Sequence, residues 1–372
     1  MNKFKEIIIY FPSIESGGME KNLLNMFNYI VEKKKIKVTL FCIYINNNIK
    51  KNISKKINII QYKTKKKFFL NRFLISIISF IFFYKKLRKN YTTKNTVIFS
   101  AQNSIFSIIL ANILSFKIII INGNHPWSAL IHSENLILNS FSFVLRFIFY
   151  NFSDKIICNS EKSSTFFKYL LFNKSKVSCI GNSINFKKFK NIKKRNNYIV
   201  SAGRLTKQKN FETLIKAFNL FSQKYSNYKL LILGEGKEKQ KLINLTEKYN
   251  IKKKVIFKNF VKNPSKIFVN SKIYVCSSLY EGLPSSLIES LNTYTPVIST
   301  NCLSGPSEIL KNGNYGYLFP IKDYLRLNKL MNYVVNNYNQ AKRKTIKGHN
   351  SLSKYNVKIV TSKYLNEINN LF

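Results

Sequence analysis

The sequence of 372 residues predicts an α/β fold with two doubly wound parallel sheets. Short apolar runs alternate with longer amphipathic stretches, a pattern typical of parallel strands joined by helices. The series of strands begins afresh near residue 197, after the polar and basic stretch Lys187–Asn197. The length also exceeds that of one ordinary hydrophobic core, and it suits two domains of average size.

The expected strands form two series. The first consists of Ile7–Phe11, Lys37–Cys42, Thr96–Ser100, Lys117–Ile121, Lys155–Cys158 and Lys176–Ile180. The second consists of Tyr198–Ala202, Lys229–Leu233, Lys254–Phe257, Ile273–Cys276 and Pro296–Thr300, with helical stretches such as Phe211–Tyr225 and Lys237–Tyr249 between them. We predict Rossmann-like domains over residues 1–190 and 191–350, and a helix in residues 351–372 that is a candidate to cross back to the first domain. Two such domains would place a cleft at the carboxyl ends of both sheets.

Composition excludes several classes of protein. Hydrophobic residues make up 45% of the chain and aromatic residues 15%, which argues against disorder. The five cysteines lie far apart, with no Cys-x-x-Cys pair, so a zinc ribbon, a redox motif and a disulfide scaffold are disfavoured. This cysteine usage favours a reducing compartment. The first apolar run is too short for a secretory signal.

The net charge is strongly positive, because 62 Lys and Arg residues stand against 16 Asp and Glu residues, a formal charge of +46. Two explanations of this positive charge have equal weight. One is codon bias in an AT-rich genome. The other is a polyanionic partner, namely anionic lipid, nucleic acid or a phosphorylated substrate. The distribution is uneven, since the segment from Lys33 to Ser133 holds 19 basic residues and no acidic one.

The most hydrophobic stretch is Phe68–Tyr84, whose uncharged part has 12 residues, too few for a bilayer-spanning helix of about 20. Basic residues flank it on both sides: Lys63, Lys65, Lys66, Lys67, Lys85, Lys86, Arg88 and Lys89. A basic, aromatic-rich helix of this kind fits the interface of an anionic membrane, which would be a partner of the first domain. The alternative is a core helix with solvated ends. A second apolar block, Leu136–Tyr150, fits either an extension of the membrane face or the core.

The strongest local motif is Glu281-Gly-Leu-Pro-Ser-Ser-Leu-Ile-Glu289, which follows the expected strand ending at Cys276. Ser285 is a suitable N-cap, and the free amides of the helix after it suit a diphosphate. Two carboxylates, Glu281 and Glu289, make poor phosphate ligands but good acceptors for sugar hydroxyls. The alternative is a loop glutamate and a helical glutamate with no ligand.

A second motif follows the expected strand that ends at Ala202. Gly203 permits a tight turn, and the cations Arg204 and Lys209 lie five residues apart. Two cations at the carboxyl end of a strand are suited to converge on one diphosphate. In a chain this basic, solvated surface lysines are the competing interpretation.

Glycine turns after two further strands add to this pattern. Gly17 and Gly18 precede an expected helix and permit close approach of the backbone to a ligand, and Gly234 lies in a similar turn. The first turn lacks the spacing of the dinucleotide fingerprint, which argues against NAD or FAD.

His125 lies in a predicted cleft loop after the strand Lys117–Ile121. A lone histidine is usually an ordinary loop or core residue, so its position beside a glycine turn is the only indication of a site role. The sequence contains no His/Glu/Cys cluster with metal-ligand spacing and no Asp-x-Asp motif, so no metal site is expected.

Taken together, these features resemble the retaining GT-B glycosyltransferases of family 4, the "glycosyl transferases group 1" family, most strongly over residues 196–320. The resemblance is carried by Gly17-Gly18-x-Glu20, His125, Gly203-Arg204-Leu205 with Lys209-Asn210, Leu233-Gly234-Glu235-Gly236, Glu281-x7-Glu289, and Gly305-Pro306-Ser307-Glu308-Ile309 with Asn312-Gly313. It implies a GT-B fold, in which two Rossmann-like domains face a central cleft, and no cofactor or bound metal.

The resemblance also implies a role for each residue. Arg204 and Lys209 would hold the diphosphate of a nucleotide sugar, Glu281 would contact the donor sugar, and Glu289 would bind the ribose. The remaining donor-binding positions are the backbone around Gly203, Gly234, Gly282, Leu283 and Ser285, and the loop at Gly17 and Gly18, which would close over the diphosphate. His125 would contact the sugar near the reacting carbon.

The activity implied is a retaining transfer from a nucleotide-diphosphate sugar, with a UDP-sugar favoured. The acceptor expected is a polyprenyl-diphosphate-linked or other glycolipid saccharide, in bacterial surface polysaccharide or lipopolysaccharide biosynthesis. The protein would be cytoplasmic and peripheral on the inner face of the cytoplasmic membrane, without a nucleic-acid partner. Two alternatives stay open: an isomerase of the UDP-N-acetylglucosamine 2-epimerase type on the same architecture, and a basic module that binds nucleic acid.

Overall fold

The computed structural model of the chain describes residues 3–14, 17–62, 72–101, 104–132, 136–189 and 195–372. The chain divides into two compact units. Unit 1 comprises Met1–Asn185 with Lys354–Phe372, and unit 2 comprises Phe186–Ser353. The division falls at residue 185 rather than at the predicted residue 190. One reason is that the Asn292 side chain of unit 2 donates a hydrogen bond to the Lys187 carbonyl, 2.9 Å.

Unit 1 is a seven-stranded parallel sheet in the order β5-β3-β1-β6-β7-β8-β9 with helices on both faces, and β2 pairs with β4 beside it. Its strands are β1 (Glu6–Tyr10), β2 (Ser13–Ile14), β3 (Lys37–Cys42), β4 (Tyr44–Ile45), β5 (Asn58–Gln61), β6 (Thr96–Ser100), β7 (Lys117–Asn122), β8 (Lys155–Cys158) and β9 (Val177–Cys179). Its first seven helices are α1 (Gly18–Lys33), α2 (Asn47–Lys50), α3 (Arg72–Asn90), α4 (Ser104–Ile113), α5 (Pro126–Ile131), α6 (Leu136–Tyr150) and α7 (Glu161–Leu170).

The central strand β1 explains why this sheet is covered on both faces. Ile7 and Ile9 belong to one hydrophobic cluster, together with the buried side of α1, whereas Ile8 and Tyr10 belong to another on the opposite face. Successive side chains of a strand point to opposite faces, so a continuous apolar run requires helices on both. The sequence prediction of a doubly wound parallel sheet is confirmed.

Helix α3 contributes to the second of these clusters. Phe83 and Leu87 are buried, and the Phe83 ring stacks on Tyr10 with centroids 4.7 Å apart. The basic residues after them, Lys85, Lys86, Arg88 and Lys89, are exposed; Lys63, Lys65, Lys66 and Lys67 lie outside the described residues. This packing favours the core-helix alternative for the apolar residues of α3, and membrane binding by the basic residues stays a prediction. Within the described ranges, no helix has the length and apolar character needed to cross a bilayer.

Unit 2 is a six-stranded parallel sheet in the order β12-β11-β10-β13-β14-β15. Its strands are β10 (Asn196–Ala202), β11 (Lys229–Leu233), β12 (Val255–Lys258), β13 (Ser271–Cys276), β14 (Val297–Thr300) and β15 (Tyr317–Phe319). Its helices are α8 (Phe211–Lys224), α9 (Lys239–Lys248), α10 (Ser265–Phe268), α11 (Ser285–Asn292), α12 (Pro306–Ile309), α13 (Tyr324–Asn336) and α14 (Tyr338–Asn350). In the register of the central strand, Val200 lies opposite Leu231 on one side and Tyr274 on the other.

The last helix of the chain, α15 (Val357–Asn369), belongs to unit 1. It packs against α1, and its residues Val360, Tyr364 and Ile368 are part of the same hydrophobic cluster as β1. Just before it, Asn356 forms a parallel bridge with Ile184. The C-terminal residues therefore complete the core of the unit in which the chain begins.

Candidate active site at the carboxyl edge of the second sheet

Four loops of unit 2 leave the sheet at one edge, because its strands are parallel and their carboxyl ends lie side by side. They follow β10, β11, β13 and β14, and they begin at Gly203, Gly234, Ser277 and Asn301. All the unit 2 residues that the sequence selected, apart from Glu289 and Ser285 in α11, lie in these loops or in the short turn after the first of them.

Two glycines let these loops approach one another closely. Gly234 has a φ of +145°, and a Cβ there would lie 2.0 Å from the Gly203 carbonyl oxygen. Gly305 has a φ of +87°, and its Cβ would lie 2.1 Å from the Gly282 carbonyl oxygen. Both positions combine a backbone conformation that favours glycine with a contact that admits no side chain. The loops are therefore held in pairs by backbone packing.

Lys209 and Glu281 form a buried ion pair within this edge. The Lys209 Nζ lies 2.5 Å from the Glu281 Oε1, and the two side chains are 18% and 7% exposed. Ser278 Oγ donates a second hydrogen bond to the same carboxylate oxygen, 2.6 Å. Gly203 lies against the stem of Lys209, because a Cβ on this glycine would be 3.1 Å from the lysine Cε. A cation and a carboxylate 72 residues apart in sequence are thus fixed side by side.

The buried pair changes the titration of its neighbours. Burial by itself would lower the pKa of the Lys209 ammonium, but the charge and hydrogen bond of Glu281 outweigh it, and the pKa is raised. Burial, followed by the nearby Glu281 charge, raises the pKa of the Cys276 and Cys302 thiols. Lys209 therefore keeps its charge, while the two cysteines stay protonated and are poor nucleophiles.

The loop that carries Glu281 is held from both sides. From one side, Ser277 Oγ donates to the Lys209 carbonyl (2.9 Å) and the Leu279 amide donates to the Gln208 carbonyl (2.8 Å). From the other side, Ser304 Oγ donates to the Glu281 carbonyl, 2.7 Å. Sequence reasoning gave no role to these serines, because the contacts that define their function come from distant parts of the chain. Their place in the loops that follow strand ends was the only available signal.

Arg204 differs from Lys209 in that its side chain is exposed. Its positive charge nevertheless lowers the pKa of Lys209 and of Tyr280, and so offsets part of the increase that other groups cause. No hydrogen bond or ion pair joins its guanidinium to another part of the described chain. Lys209 is therefore a largely buried cation that is already paired, whereas Arg204 is an exposed cation that is available to an anion.

Glu289 lies in the second turn of α11 and is 9% exposed. The charges of Glu281 and Glu289 both contribute, after burial, to the raised pKa of the Tyr274 phenol. Tyr274 in turn donates a hydrogen bond to Ser286 Oγ at the start of the helix, 2.7 Å. The two glutamates of the motif are therefore both near one buried tyrosine, which sequence reasoning did not select.

The start of α11 differs by one residue from the prediction. Ser285 is the first helical residue rather than the N-cap, and Pro284 takes the N-cap position with no side-chain cap. Proline fits there because its fixed φ, −67° in this case, is compatible with the turn into a helix. Gly282 and Leu283 immediately precede it and are buried. The backbone amides at this helix end lie beside the loop of Glu281, as the motif required.

In unit 1, His125 is the N-cap residue of α5 and is 4% exposed. Its ring lies 4.9 Å from the Phe166 ring, and its buried Nδ1 has no hydrogen-bond partner in the part of the chain that is described. Burial, with a smaller contribution from Lys162, lowers its pKa, so the imidazole is neutral at pH 7. The neutral ring therefore has one unsatisfied nitrogen, which is buried.

The glycine turn of unit 1 begins α1. Gly17 is the N-cap and Gly18 the first helical residue, and a Cβ on Gly17 would overlap the carboxylate of the buried Glu20. A side chain at this position would therefore displace the end of the Glu20 side chain. Among the described residues, no group of three or more His, Cys, Asp or Glu side chains is placed to hold a metal ion.

Comparison with known proteins agrees with this geometry. Residues 182–350 match the sequence profile of the family "Glycosyl transferases group 1". The chain is 38% identical to the uncharacterized glycosyltransferase MJ1059 of Methanocaldococcus jannaschii over 44% of its own length and 43% of that protein, so the match spans less than half of either chain. It is 23% identical, over 91% of its own length and 90% of that protein, to a Campylobacter jejuni GalNAc-alpha-(1->4)-GalNAc-alpha-(1->3)-diNAcBac-PP-undecaprenol alpha-1,4-N-acetyl-D-galactosaminyltransferase.

Further relatives are named as glycosyltransferases of amylovoran biosynthesis and of lipopolysaccharide core biosynthesis. The comparisons give the epimerase alternative no support. Among solved structures, Staphylococcus aureus TarM, crystallised in complex with fondaparinux, alpha-GlcNAc-glycerol and UDP, superposes with a TM-score of 0.81 at 15% identity, covering 98% of this chain and 100% of that one. This likeness identifies the fold as GT-B. The family match over residues 182–350, together with this fold, supports a GT-B glycosyl transferase of group 1.

Proposed function

We propose that this protein is a retaining glycosyltransferase that moves a sugar from a UDP-sugar to a lipid-linked saccharide. The observation that carries the proposal is the buried Lys209–Glu281 ion pair beside the exposed Arg204. Cations suited to a diphosphate and a carboxylate suited to sugar hydroxyls lie within one network. A protein that only binds polyanions would have no need of a buried carboxylate at its cationic site.

The donor would bind with its diphosphate toward Arg204, Lys209 and the first amides of α11. Arg204 supplies an exposed charge, and Lys209 supplies one whose position is fixed by Glu281. As the bond between the sugar and the phosphate breaks, negative charge grows on the leaving diphosphate, and these groups would stabilise it. The remaining acceptor capacity of the Glu281 carboxylate would receive a hydroxyl of the donor sugar, and Glu289 would bind the ribose.

Retention of configuration would not need a covalent intermediate on the protein. The thiols nearest to the ion pair, Cys276 and Cys302, are held in the protonated form, and the Glu281 carboxylate already accepts hydrogen bonds from Lys209 and Ser278. Front-face attack, in which the leaving phosphate takes the acceptor's proton, fits a site rich in cations. Catalysis would then depend on positioning and on stabilisation of the leaving group. His125 would add a neutral hydrogen-bonding group near the reacting carbon.

The finer assignments draw on what is known of similar proteins. TarM was crystallised with UDP, and the Campylobacter relative is named for a diphospho-undecaprenol-linked acceptor. We extend both properties to this chain, with surface polysaccharide or lipopolysaccharide biosynthesis as the setting. A glycolipid acceptor would require the protein to work at a membrane surface, peripherally on its cytoplasmic face. The proposal includes no cofactor, no metal and no nucleic-acid partner.

Calorimetric titration of nucleotide sugars, followed by a transfer assay with polyprenyl-diphosphate-linked saccharides, tests this function. We expect one UDP-sugar to bind with micromolar affinity and its sugar to appear in the product with the donor's anomeric configuration, as read from the anomeric proton coupling. The Glu289→Ala variant should bind the same donor at least ~10-fold more weakly, since a buried hydrogen-bonding carboxylate is lost. Equal donor affinity in this variant, or an inverted product, would overturn the proposal.

A further inference from the structure

Helix α6 exposes an apolar stripe. Ile137, Phe141, Val144 and Ile148 are 83%, 65%, 54% and 51% exposed. Their spacing of four, three and four residues places them on one side of the helix. The exposed side of a helix in a globular protein is normally polar, so this helix reverses the usual pattern.

The orientation of the stripe is fixed by aromatic packing on the other sides of the helix. Phe143 of α6 lies edge-on to Trp127 of α5, with centroids 6.1 Å apart. Phe147 lies 6.0 Å from Phe166 and 5.9 Å from Phe167, both in α7. Phe143 and Phe147 thus already have partners within unit 1, whereas the side chains of the stripe, Phe141 among them, remain exposed.

The stripe continues beyond the end of the helix. Phe152 is 60% exposed, Phe172 is 94% exposed, and the Phe172 amide donates to Asn151 Oδ1 at 3.0 Å. On the other side, Asn112 donates to the Phe152 carbonyl at 3.0 Å, which brings the exposed Ile113 close to the same place. We call the surface of Ile137, Phe141, Val144, Ile148, Phe152 and Phe172 the α6 face. Contiguous exposed apolar surface of this kind usually marks an interaction site.

The rim of the α6 face is cationic. The only charged residue of α6 is Arg146, which is exposed, and Lys176 donates to the Asn151 carbonyl at 2.8 Å, beside Phe152. The nearby carboxylate of Asp154 is neutralised by Lys117, 3.1 Å away. Apolar side chains bordered by the cations Arg146 and Lys176 match a surface whose interior is hydrocarbon and whose boundary carries negative charge.

We propose that the α6 face inserts into the headgroup region of an anionic lipid membrane. The proposal depends on the proposed function for one point only. A lipid-linked acceptor is confined to a membrane, so the enzyme must work at a membrane surface. A second copy of the chain is a poorer occupant, because joining two cationic rims on chains of charge +46 is opposed by repulsion. The apolar contribution would come from α6 rather than from α3, where Ile81 is the one exposed large hydrophobic residue among those described.

The single tryptophan of the chain is a built-in probe of this proposal. Trp127 lies beside α6 and is 47% exposed. Its emission is expected to shift to shorter wavelength when vesicles of phosphatidylglycerol are added to the full-length protein, and brominated phosphatidylglycerol is expected to quench it. Vesicles of phosphatidylcholine should give a much smaller response, because their headgroups carry no net negative charge to attract the cationic rim.

The double variant Phe141→Ser/Ile148→Ser should partition into phosphatidylglycerol vesicles at least ~10-fold more weakly in a sedimentation assay, because two exposed apolar side chains are lost. Leu325→Ser, which removes a side chain 53% exposed in α13 of unit 2, and Ile81→Ser, 49% exposed in α3, are the matched controls and should bind like the wild type. All four replaced residues are exposed, so folding should be retained, and circular dichroism checks it.

Unchanged sedimentation of the double variant would overturn the proposal, as would an unchanged Trp127 spectrum in the presence of anionic vesicles. A wild-type oligomer that the double variant converts to monomer, with vesicle binding unaltered, would assign the face to a second copy instead. A transfer assay on a short, water-soluble acceptor separates this proposal from the function. Failure of vesicle binding with that transfer intact counts against the membrane face alone, and the reverse result counts against the enzyme alone.

Discussion

The carboxyl edges of the two sheets are built alike but differ in charge. In unit 2 the edge carries a buried ion pair, an exposed arginine and a second buried glutamate, and its loops are joined by close backbone contacts. In unit 1 the selected residues are two glycines and His125, whose lowered pKa leaves it neutral at pH 7. The same architecture thus supports a strongly electrostatic site in one unit and a largely uncharged one in the other.

This difference separates two ways of building a site. The charges of unit 2 need a rigid setting, since the position of Lys209 depends on Glu281, and that of Glu281 depends on Ser278 of its own loop and Ser304 of another. An uncharged site such as that around His125 depends on shape and on single hydrogen bonds. Damage to unit 2 should therefore cost more activity and more stability than comparable damage to unit 1.

The largest effect is expected for Arg204→Ala, which removes the available cation from the edge of unit 2. We expect kcat/KM for transfer to fall about 10²- to 10³-fold, as for other groups that stabilise a growing negative charge. Lys207→Ala is the matched control, because it removes an exposed lysine from the same turn and should leave the rate near that of the wild type. Similar losses in both variants would mean that general positive charge, rather than Arg204, is what matters.

The second prediction compares the loss of stability when one glycine at each edge is replaced by alanine. Gly234→Ala should lower the free energy of unfolding by about 2–3 kcal/mol, because a positive φ and a clash with the Gly203 backbone must both be relieved. Gly123→Ala in unit 1 should cost less than ~1 kcal/mol, since its Cβ would meet only the flexible end of Met19. Urea denaturation measures both, and equal costs would contradict the view that unit 2 has the more rigid edge.

A smaller effect is expected at His125. His125→Gln should lower the transfer rate about 10-fold, the value of a hydrogen bond to a reacting group. Because the pKa of His125 lies below its ordinary 6.5, the wild-type rate should stay level from neutral pH down to about that value and fall only at lower pH. The variant should lack this acidic decline, whereas His132→Gln should keep it. An unchanged pH profile in His125→Gln would remove this residue from the site.

The smallest effect is a pH dependence of stability. The folded pKa of Lys209 is raised above its ordinary 10.5, so the ion pair's contribution is fully present below that pH and is lost as the pH rises through the folded value. The difference in Tm between the wild type and Glu281→Gln should accordingly be larger near about pH 9 than near about pH 11.5. A difference that does not narrow would show that Glu281 stabilises the fold without its ion pair.

Most of the fold could be predicted from the sequence, because long apolar runs and the helices between them determine doubly wound sheets directly. Four strands were missed for physical reasons, and two of these, β2 and β4, have only two residues each. β5 is a short edge strand that begins with Asn58 and ends with Gln61, and β15 has three residues, so neither has a run long enough to detect. The fold class depends on the central strands, and for this reason it was unaffected.

The site could be predicted in part. Glu281, Arg204 and Lys209 belong to local motifs, whereas the contact between Glu281 and Lys209 depends on how four loops meet. Arg195 shows the limit clearly. It lies in the stretch taken as a polar boundary, yet it is 6% exposed and donates hydrogen bonds to Thr295 and to four backbone carbonyls. The acceptors of a buried arginine are visible only after folding, and so is the difference between the packed α3 and the exposed α6.

The position of α15 has a consequence for how the protein is made. The chain leaves unit 1 at residue 185 and returns to it at residue 354, so unit 2 is one continuous segment and unit 1 is assembled from two. During synthesis, unit 2 is able to complete its core while the unit begun first still lacks Val360, Tyr364 and Ile368. The core of unit 1 therefore stays incomplete until residues 354–372 have been translated. A destabilising substitution in α15 should accordingly unfold unit 1, most of which is translated before α15.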